Sequence, residues 1–191
     1  MKKDTDLNSK EYDFLVSEID TRLTNRTILE RQVLTDDVIC KLQAVATSIK
    51  GTRLNVIEDL NQIEKLSVII GKVERLKMMD QRGHADFFNE IRWSEEEVLE
   101  KRDGIDLNLM PINATAKAGL MVAKSWDVVK LLKQWKKGEI FEKLAKNSVI
   151  ASSAIGLVLV DDYSALNYIN AGRAIQRTWL MANKLNISIQ P

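Results

Sequence analysis

The chain has 191 residues, of which 45% are hydrophobic and 29% charged, so one domain with a sizeable core is the default expectation. Its net charge of +1 supplies no broad positive field, which argues against binding to nucleic acid or to an anionic membrane. Cys40 is the sole cysteine and His84 the sole histidine, which excludes an internal disulfide, a multi-Cys or multi-His zinc site and any triad not centred on His84.

The N-terminal residues contain no apolar run of signal-peptide length, and no segment approaches the roughly 20 apolar residues that span a bilayer. We therefore expect a cytoplasmic protein without membrane contact. Gly-x-Gly-x-x-Gly and P-loop patterns are absent, which argues against those routes to nucleotide binding. Any enzymatic chemistry would then rest on a cofactor, and no catalytic residue or metal ligand is predicted.

The chain begins with two helix signals. Residues 7–19 have the apolar spacing of an amphipathic helix, so residues 1–20 are expected to form a helical extension. Thr35 is a good N-cap for the next helix, which carries one apolar stripe as far as Ala46. Cys40 is expected on the apolar side of that helix, as a core thiol.

A short alternating strand is predicted at residues 53–57, and residues 61–79 should form the longest helix of the first half. His84 follows in a turn-like sequence, where a solvated or capping role is the favoured interpretation. A capping-box spacing predicts a short helix from Ser94, and residues 102–114 are predicted as a loop long enough to be a lid or an interface loop.

The second half predicts a long helix at residues 117–136 and a short one at 140–146. Residues 155–160 are a continuous apolar run, which is typical of a strand covered on both faces. A helix at 163–186 follows, and residues 187–191 are predicted to begin another strand. The sum is an α+β fold, in which a small mixed sheet is surrounded by long helices.

Two segments resemble a known family. Arg22, Thr24 and Arg26 alternate before a core helix that begins after residues 32–35, which resembles the N-terminal signature of the nitroreductase-like flavoproteins. Residues 155–191, with their strand, Asp-Asp turn and Ala-Gly-Arg-Ala-Ile-Gln-Arg-Thr-Trp-Leu helix, are similar to the late strand and central helix of that family.

The resemblance is closest to the divergent branch that includes the mycobacterial dormancy flavoproteins and the nitroreductase domains fused to ThiF-like adenylyltransferases. Residues 89–94 and 103–105 also fit that branch. The resemblance extends from Thr21 to Pro191, so the whole chain is expected to be one nitroreductase-like domain or half-domain.

The resemblance implies that Arg22, Thr24 and Arg26 contact the phosphate, ribityl chain and pyrimidine ring of FMN. Residues two apart on an extended stretch point to one side, and cationic and hydroxyl donors suit a dianionic phosphate. A solvated charged surface is the alternative interpretation of this pattern.

Asn89 and Arg92 match, more loosely, an Asn and a basic residue that reach the flavin ring and ribityl chain in the family. An ordinary polar helix end explains them equally well. Arg173 and Arg177 lie one turn apart beside Trp179, where an interface ion pair or stacking on an aromatic ring is favoured over ligand binding.

Two departures indicate a changed or incomplete flavin site. Relatives carry an Asn-x-Gln-Pro segment after the first core helix, whereas residues 48–52 read Ser-Ile-Lys-Gly-Thr here. The sequence also stops at Pro191, where relatives continue to the flavin N5 edge and a basic pair that grips the phosphate. We expect the site to need a second copy or a second half.

The resulting expectation is an FMN-binding nitroreductase-like domain that acts as a homodimer or with a second nitroreductase-like half. In complete relatives NAD(P)H reduces the flavin, which passes electrons to an acceptor. The alternatives are a non-catalytic domain that sequesters flavin or serves as an assembly half, and a plain helical interaction module that binds no flavin.

Overall fold

The computed structural model describes residues 9–110, 112–135 and 137–191. The described chain is an α+β structure dominated by helices, which confirms the predicted class. The helices are α1 (Asp36–Thr47), α2 (Leu60–Met78), α3 (Gln81–Glu90), α4 (Glu95–Lys101), α5 (Ala114–Ala123), α6 (Trp126–Gln134), α7 (Glu139–Ile150) and α8 (Ala165–Lys184). The strands are β1 (Thr52–Ile57), β2 (Ile91–Arg92), β3 (Ile105–Asp106) and β4 (Ile155–Val160), and 3₁₀ helices form at Ser9–Glu18 and Leu107–Leu109.

The strands of the described chain form two separate two-stranded sheets rather than one small mixed sheet. β1 pairs with β4, and β2 pairs with β3 in parallel, with Ile91 opposite Ile105. A two-stranded sheet has little stability by itself, so the helices must supply most of the core.

The residues cluster into two compact units. The first consists of the described residues up to Asn25, Val33–Ile57 and Gly156–Pro191, and contains α1, β1, β4 and α8. Its core is one cluster of buried apolar side chains from these elements and from the N-terminal 3₁₀ helix: Leu15, Leu42, Val45, Ala46, Ile49, Leu54, Ala174, Leu180, Met181 and Ala182. That the whole chain is a single domain stays a prediction.

The second unit consists of Arg26–Gln32 and Glu58–Ile155. In this unit α2 packs along α7 so closely that a Cβ atom on Gly71 would lie 2.8 Å from the carbonyl oxygen of Glu142. This approach explains the glycine that interrupts the apolar pattern of α2. The core cluster of the unit is Met78, Met79, Phe88, Ile91, Leu107, Leu120, Ala123, Val129 and Phe141.

Both predicted helix caps form. The Thr35 hydroxyl accepts a hydrogen bond from the Val38 N–H at the start of α1, and the Ser94 hydroxyl accepts one from the Glu97 N–H at the start of α4. The Glu97 carboxylate, however, accepts from the N–H of Trp93 (2.7 Å) instead of closing the expected box onto Ser94. The predicted strand and helix signals that became β1, α2, β4 and α8 are likewise confirmed.

The predicted helix at residues 117–136 is wrong as one element, because the chain forms α5 and α6 with a break at Ser125; residue 136 lies outside the described residues. An unbroken helix would continue the face of Leu120 and Ala123 onto Asp127, which is polar. The break instead allows Val129 to be fully buried.

Two segments predicted as irregular are partly regular. The turn-like sequence around His84 is helix α3, and the predicted loop at 102–114 contains β3 and a 3₁₀ helix whose Leu107 is buried. Pro111 of that loop lies outside the described residues. The short helix predicted at 140–146 is longer, since α7 extends from Glu139 to Ile150.

Burial corrects three further expectations. Cys40 is exposed and not a core thiol. β4 is not covered on both faces, since Leu157 and Leu159 are 41% and 42% exposed. Residues 187–191 form no strand, although Ile187 and Ile189 pack against the core of the first unit. The N-terminal helix is described only from Ser9 and is 3₁₀ rather than α.

Candidate functional site

The candidate site begins with Arg22, which follows the N-terminal 3₁₀ helix. Its backbone N–H donates to the Glu18 carbonyl (2.9 Å), and its guanidinium carbon lies 4.1 Å from the centroid of the Trp179 ring on α8. The Nε atom is buried and has no hydrogen-bond partner in residues 9–110, 112–135 and 137–191. Arg22 is therefore held by an aromatic face while a buried donor stays unsatisfied.

The segment that carries Arg22 is tied to the C-terminal half of α8. The Asn183 amide nitrogen donates to the Glu18 carboxylate (2.8 Å) and to the Thr21 hydroxyl (2.9 Å). The Lys184 ammonium lies 5.0 Å from the ring centroid of Phe14. These contacts fix the backbone on the N-terminal side of Arg22.

Thr24 and Arg26 continue the segment. Both side chains are half-buried, and among the residues that the structure describes neither side chain forms a hydrogen bond or an ion pair. Between them, the Asn25 amide donates to the Ser188 hydroxyl (3.2 Å). Thr24 belongs to the first unit, whereas Arg26 begins the short stretch assigned to the second.

Arg92 lies in the second unit and is buried, with 7% of its surface exposed. Its Nε and Nη2 atoms donate to one carboxylate oxygen of Asp103, at 2.9 and 2.6 Å, and Nη1 donates to the Asn89 carbonyl at 2.7 Å. Asn89 thus contributes its backbone to Arg92, and its side chain is exposed. The structure brings these two predicted residues together, but it satisfies all three guanidinium nitrogens of Arg92 internally.

Gly104 makes the Arg92 arrangement possible. Its φ of +73° is in the left-handed region, and a Cβ atom there would contact the Glu90 carbonyl and lie 2.7 Å from the Arg92 guanidinium carbon. Only glycine combines that backbone with so close an approach. The Asp103-Gly104 pair is therefore explained by the burial of Arg92.

The turn between α1 and β1 comprises residues 48–51, Ser-Ile-Lys-Gly. Arg177 on α8 donates to the Ser48 hydroxyl (2.6 Å), and the Asn170 amide donates to the Lys50 carbonyl (3.3 Å). Arg173 donates to the Asn170 side-chain oxygen (3.3 Å). Arg177 and Asn170 of α8 thus form hydrogen bonds with this turn, and the Arg22 guanidinium lies over the Trp179 ring.

His84 is buried in α3 and is not solvated, which corrects the solvated alternative. Its Nε2 atom lies 2.8 Å from the Ala123 carbonyl at the end of α5, and because a carbonyl can only accept, Nε2 is the donor. The ring packs against Phe88 and Trp126, with centroids 4.5 and 5.3 Å away. His84 is thus a helix-capping core residue.

The pKa values of two aspartates, Asp80 and Asp162, are lowered by hydrogen bonds. Hydrogen bonds from the backbone of Gly83, and then of Arg82, lower the pKa of Asp80 below its ordinary value. Hydrogen bonds from Ser164 lower the pKa of Asp162 in the same way. Asp80 is the N-cap of α3, whereas Asp162 accepts hydrogen bonds from the Ser164 N–H and the Asn167 amide in the turn before α8. Hydrogen bonds to the charged carboxylate therefore explain both shifts.

The described residues contain no group of three or more His, Cys, Asp and Glu side chains that could hold a metal ion. None of their helices is both long enough and apolar enough to cross a bilayer.

No family model and no solved structure matches the chain. Among curated proteins it is similar to "Uncharacterized protein MT1398" of Mycobacterium tuberculosis (strain CDC 1551 / Oshkosh), with 28% identity over 142 residues. The match covers 74% of this chain and 20% of the relative. The chain therefore spans about a fifth of the length of a mycobacterial protein whose name states no activity.

Proposed function

We propose that this chain is an FMN-binding, nitroreductase-like domain. The observation that carries the proposal is the state of Arg22, whose guanidinium lies on Trp179 with a buried Nε–H that finds no acceptor among the residues the structure describes. Buried donors without partners are rare in proteins, and a bound acceptor is one of their ordinary explanations. An FMN phosphate would provide such an acceptor, with charge that complements a guanidinium.

The other residues of the motif fit an anionic ligand as well. The Thr24 hydroxyl and the Arg26 guanidinium are half-buried and have no partner among the described residues, so no existing bond must be broken for either to contact a ligand. Arg92 fits less well, because its nitrogens are already bonded to Asp103 and Asn89. In this proposal Arg22, Thr24 and Arg26 hold the phosphate and ribityl end.

FMN held by Arg22, Thr24 and Arg26 would supply hydride-transfer chemistry between NAD(P)H and a nitroaromatic, quinone or similar acceptor. The protein residues bind and orient the cofactor and carry no acid–base role. This explains why the chain can lack a catalytic His or Cys. A domain that sequesters flavin without turnover is the second candidate, and the internal bonding of Arg92 favours it, since one expected flavin contact is engaged elsewhere.

Association with a second copy or a second half is part of the proposal. The β4 and α8 region exposes many large apolar side chains: Leu157, Leu159, Tyr163, Leu166, Tyr168, Ile169 and Ile175. A depression of about 280 Å³ is lined by the last residues of β4 and the turn after it. Exposed apolar clusters of this kind mark interaction surfaces, and an obligate interface would bury more than about 2,000 Å² in total.

The association is checked by multi-angle light scattering of the purified chain. We expect a dimer that persists on dilution through the micromolar range. A monodisperse monomer at concentrations where the protein is folded would contradict association of this chain with itself.

The experiment on cofactor binding is a fluorescence titration of FMN and riboflavin, which differ by the phosphate alone. We expect wild type to bind FMN more tightly, and Arg22→Ala with Arg26→Ala to lose about tenfold to a hundredfold in FMN affinity with little change for riboflavin. A charge-assisted hydrogen bond contributes about 1.5–3 kcal/mol, which corresponds to that range.

The matched control is Lys41→Ala with Lys130→Ala, which removes the same charge from two exposed ion pairs. The control should retain the FMN affinity of wild type. Equal FMN affinity in wild type and in the arginine double variant would remove these arginines from the site, and absence of flavin binding by the wild type would refute the proposal.

A further inference from the structure

We propose that Trp179 is a positioning residue, whose ring holds the Arg22 guanidinium so that its N–H groups are available to the flavin phosphate. The inference rests on the proposed function and deepens it, because neither the motif around Arg22 nor the match to α8 assigns Trp179 a role. It connects two segments that lie more than 150 residues apart in the chain and belong to the same unit.

The type of contact is the first reason. A guanidinium carbon 4.1 Å from the ring centroid places the cation over the π face, where the ring quadrupole attracts it. An oxygen acceptor would have occupied the N–H groups, as Asp103 does for Arg92. An aromatic ring attracts the charge and leaves Nε–H without an acceptor.

The rigidity of both partners is the second reason. Trp179 lies on α8 between Thr178 and Leu180, which are both buried, so the helix cannot rotate without exposing core. Asn183, one turn further along α8, donates hydrogen bonds to Glu18 and Thr21. The ring and the backbone that carries Arg22 are therefore fixed by neighbouring contacts, and a preordered side chain loses less entropy when it binds a ligand.

The test compares the preference for FMN over riboflavin in a set of purified variants, measured by the same flavin titration. Trp179→Leu removes the aromatic face, Trp179→Phe retains one, and Arg22→Ala removes the held cation. Trp135→Leu is the matched control, because it makes the same substitution at a tryptophan that is 64% exposed. Thermal melts establish that each variant is folded at the titration temperature.

The expected result is a loss of about tenfold in the FMN preference for Trp179→Leu, with riboflavin affinity unchanged. Trp179→Phe should recover most of the preference, and Trp135→Leu should equal wild type. The double variant Trp179→Leu with Arg22→Ala should lose no more FMN preference than Arg22→Ala alone, because the effects of two residues that act through one contact are not additive. Should Trp179→Leu fail to fold, Trp179→Met removes the ring while keeping a long apolar side chain.

The outcomes separate this inference from the proposed function. If Arg22→Ala lowers the FMN preference but the ringless Trp179 variant does not, Trp179 has no positioning role and the proposed function stands. A ringless variant that weakens riboflavin as much as FMN would show a structural role instead, and would also overturn the inference. A wild type without any preference for FMN overturns the proposed phosphate contact and the positioning role with it.

Discussion

Arg22 in the first unit and Arg92 in the second show two ways of holding a guanidinium away from solvent. Arg92 is almost fully buried, and its three nitrogens donate to the Asp103 carboxylate and to the Asn89 carbonyl. Arg22 is half-buried on the face of Trp179, and its Nε–H has no acceptor in the described part of the chain. The first arrangement satisfies the cation completely, whereas the second leaves it able to bind an additional acceptor.

The difference separates stability from binding. Removing one partner from a satisfied buried cation leaves the other uncompensated, so the free energy of unfolding falls. Changing a cation on an aromatic face alters stability less, because the contact contributes only about 0.5–2 kcal/mol. We therefore expect substitutions around Arg92 to reduce stability and substitutions at Arg22 to reduce ligand affinity.

The largest effect is expected for Gly104→Ala. The new Cβ would contact the Glu90 carbonyl and the Arg92 guanidinium at a φ of +73°, so backbone strain adds to overpacking. We expect a loss of about 2–4 kcal/mol in the free energy of unfolding, measured by urea denaturation. This change would break the Arg92 arrangement without touching its hydrogen-bonding groups.

The control for this prediction is Gly119→Ala. Gly119 lies in α5, and a Cβ atom there would meet no atom within 4 Å. Replacing a helical glycine of this kind by alanine should raise the free energy of unfolding of the protein by about 0.5–1 kcal/mol. A Gly104→Ala variant as stable as wild type would contradict the close approach of Gly104 to Arg92.

Asp103→Ala and Arg22→Ala should rank in opposite orders when stability and FMN affinity are measured. Asp103→Ala should lower the free energy of unfolding by about 1–2 kcal/mol, less than a fully buried pair would lose, because the Asp103 side chain is 64% exposed and solvent screens it. Arg22→Ala should lower it by less than about 1 kcal/mol. The FMN titration should give the opposite order. Arg22→Ala should bind FMN more weakly than wild type, whereas Asp103→Ala should bind it about as tightly as wild type.

Asp103→Asn is the conservative control, since it retains an oxygen acceptor without the charge and should lose less stability than Asp103→Ala. Should Asp103→Ala weaken FMN as strongly as Arg22→Ala without unfolding, Arg92 would belong to the flavin site after all. The distinction between Arg92 as a structural residue and Arg22 as a ligand-binding residue would then be wrong.

The fold was predictable where a local signal decides it. Thr35 and Ser94 begin helices because their hydroxyls accept from N–H groups three residues later, and that spacing is legible in the sequence. The division of residues 117–136 was not predictable in this way, because apolar periodicity does not show that Val129 must replace Asp127 on the buried face. The capping of α5 by His84, 39 residues away, is a tertiary contact with no local signature.

The candidate site was predictable in its residue types but not in their partners. The alternation of Arg22, Thr24 and Arg26 is a sequence feature, whereas the packing of Arg22 on Trp179 depends on the folded course of α8. Asp103-Gly104 offered a usable signal: an acidic residue followed by a glycine, eleven residues after Arg92, fits an ion pair that needs an unhindered backbone. That pairing could have identified the internal role of Arg92.

The smallest effect is expected on stability at acidic pH, where one hydrogen-bonded aspartate in each unit contributes: Asp80 in the second and Asp162 in the first. Hydrogen bonds from Gly83 and Arg82 lower the pKa of Asp80, and those from Ser164 lower the pKa of Asp162. A carboxyl whose pKa is lower in the folded chain contributes stability above its unfolded pKa of about 3.9, and that contribution is lost as the pH falls through the folded value.

Asp80→Asn and Asp162→Asn each keep an oxygen acceptor that does not titrate. Urea denaturation from pH 7 to 3 should give each variant a constant stability difference from wild type down to about pH 5, and a shrinking one below about pH 4. If the stability difference from wild type stays constant to pH 3 for Asp80→Asn but shrinks for Asp162→Asn, the prediction fails for Asp80 and the two units differ in their response to acid.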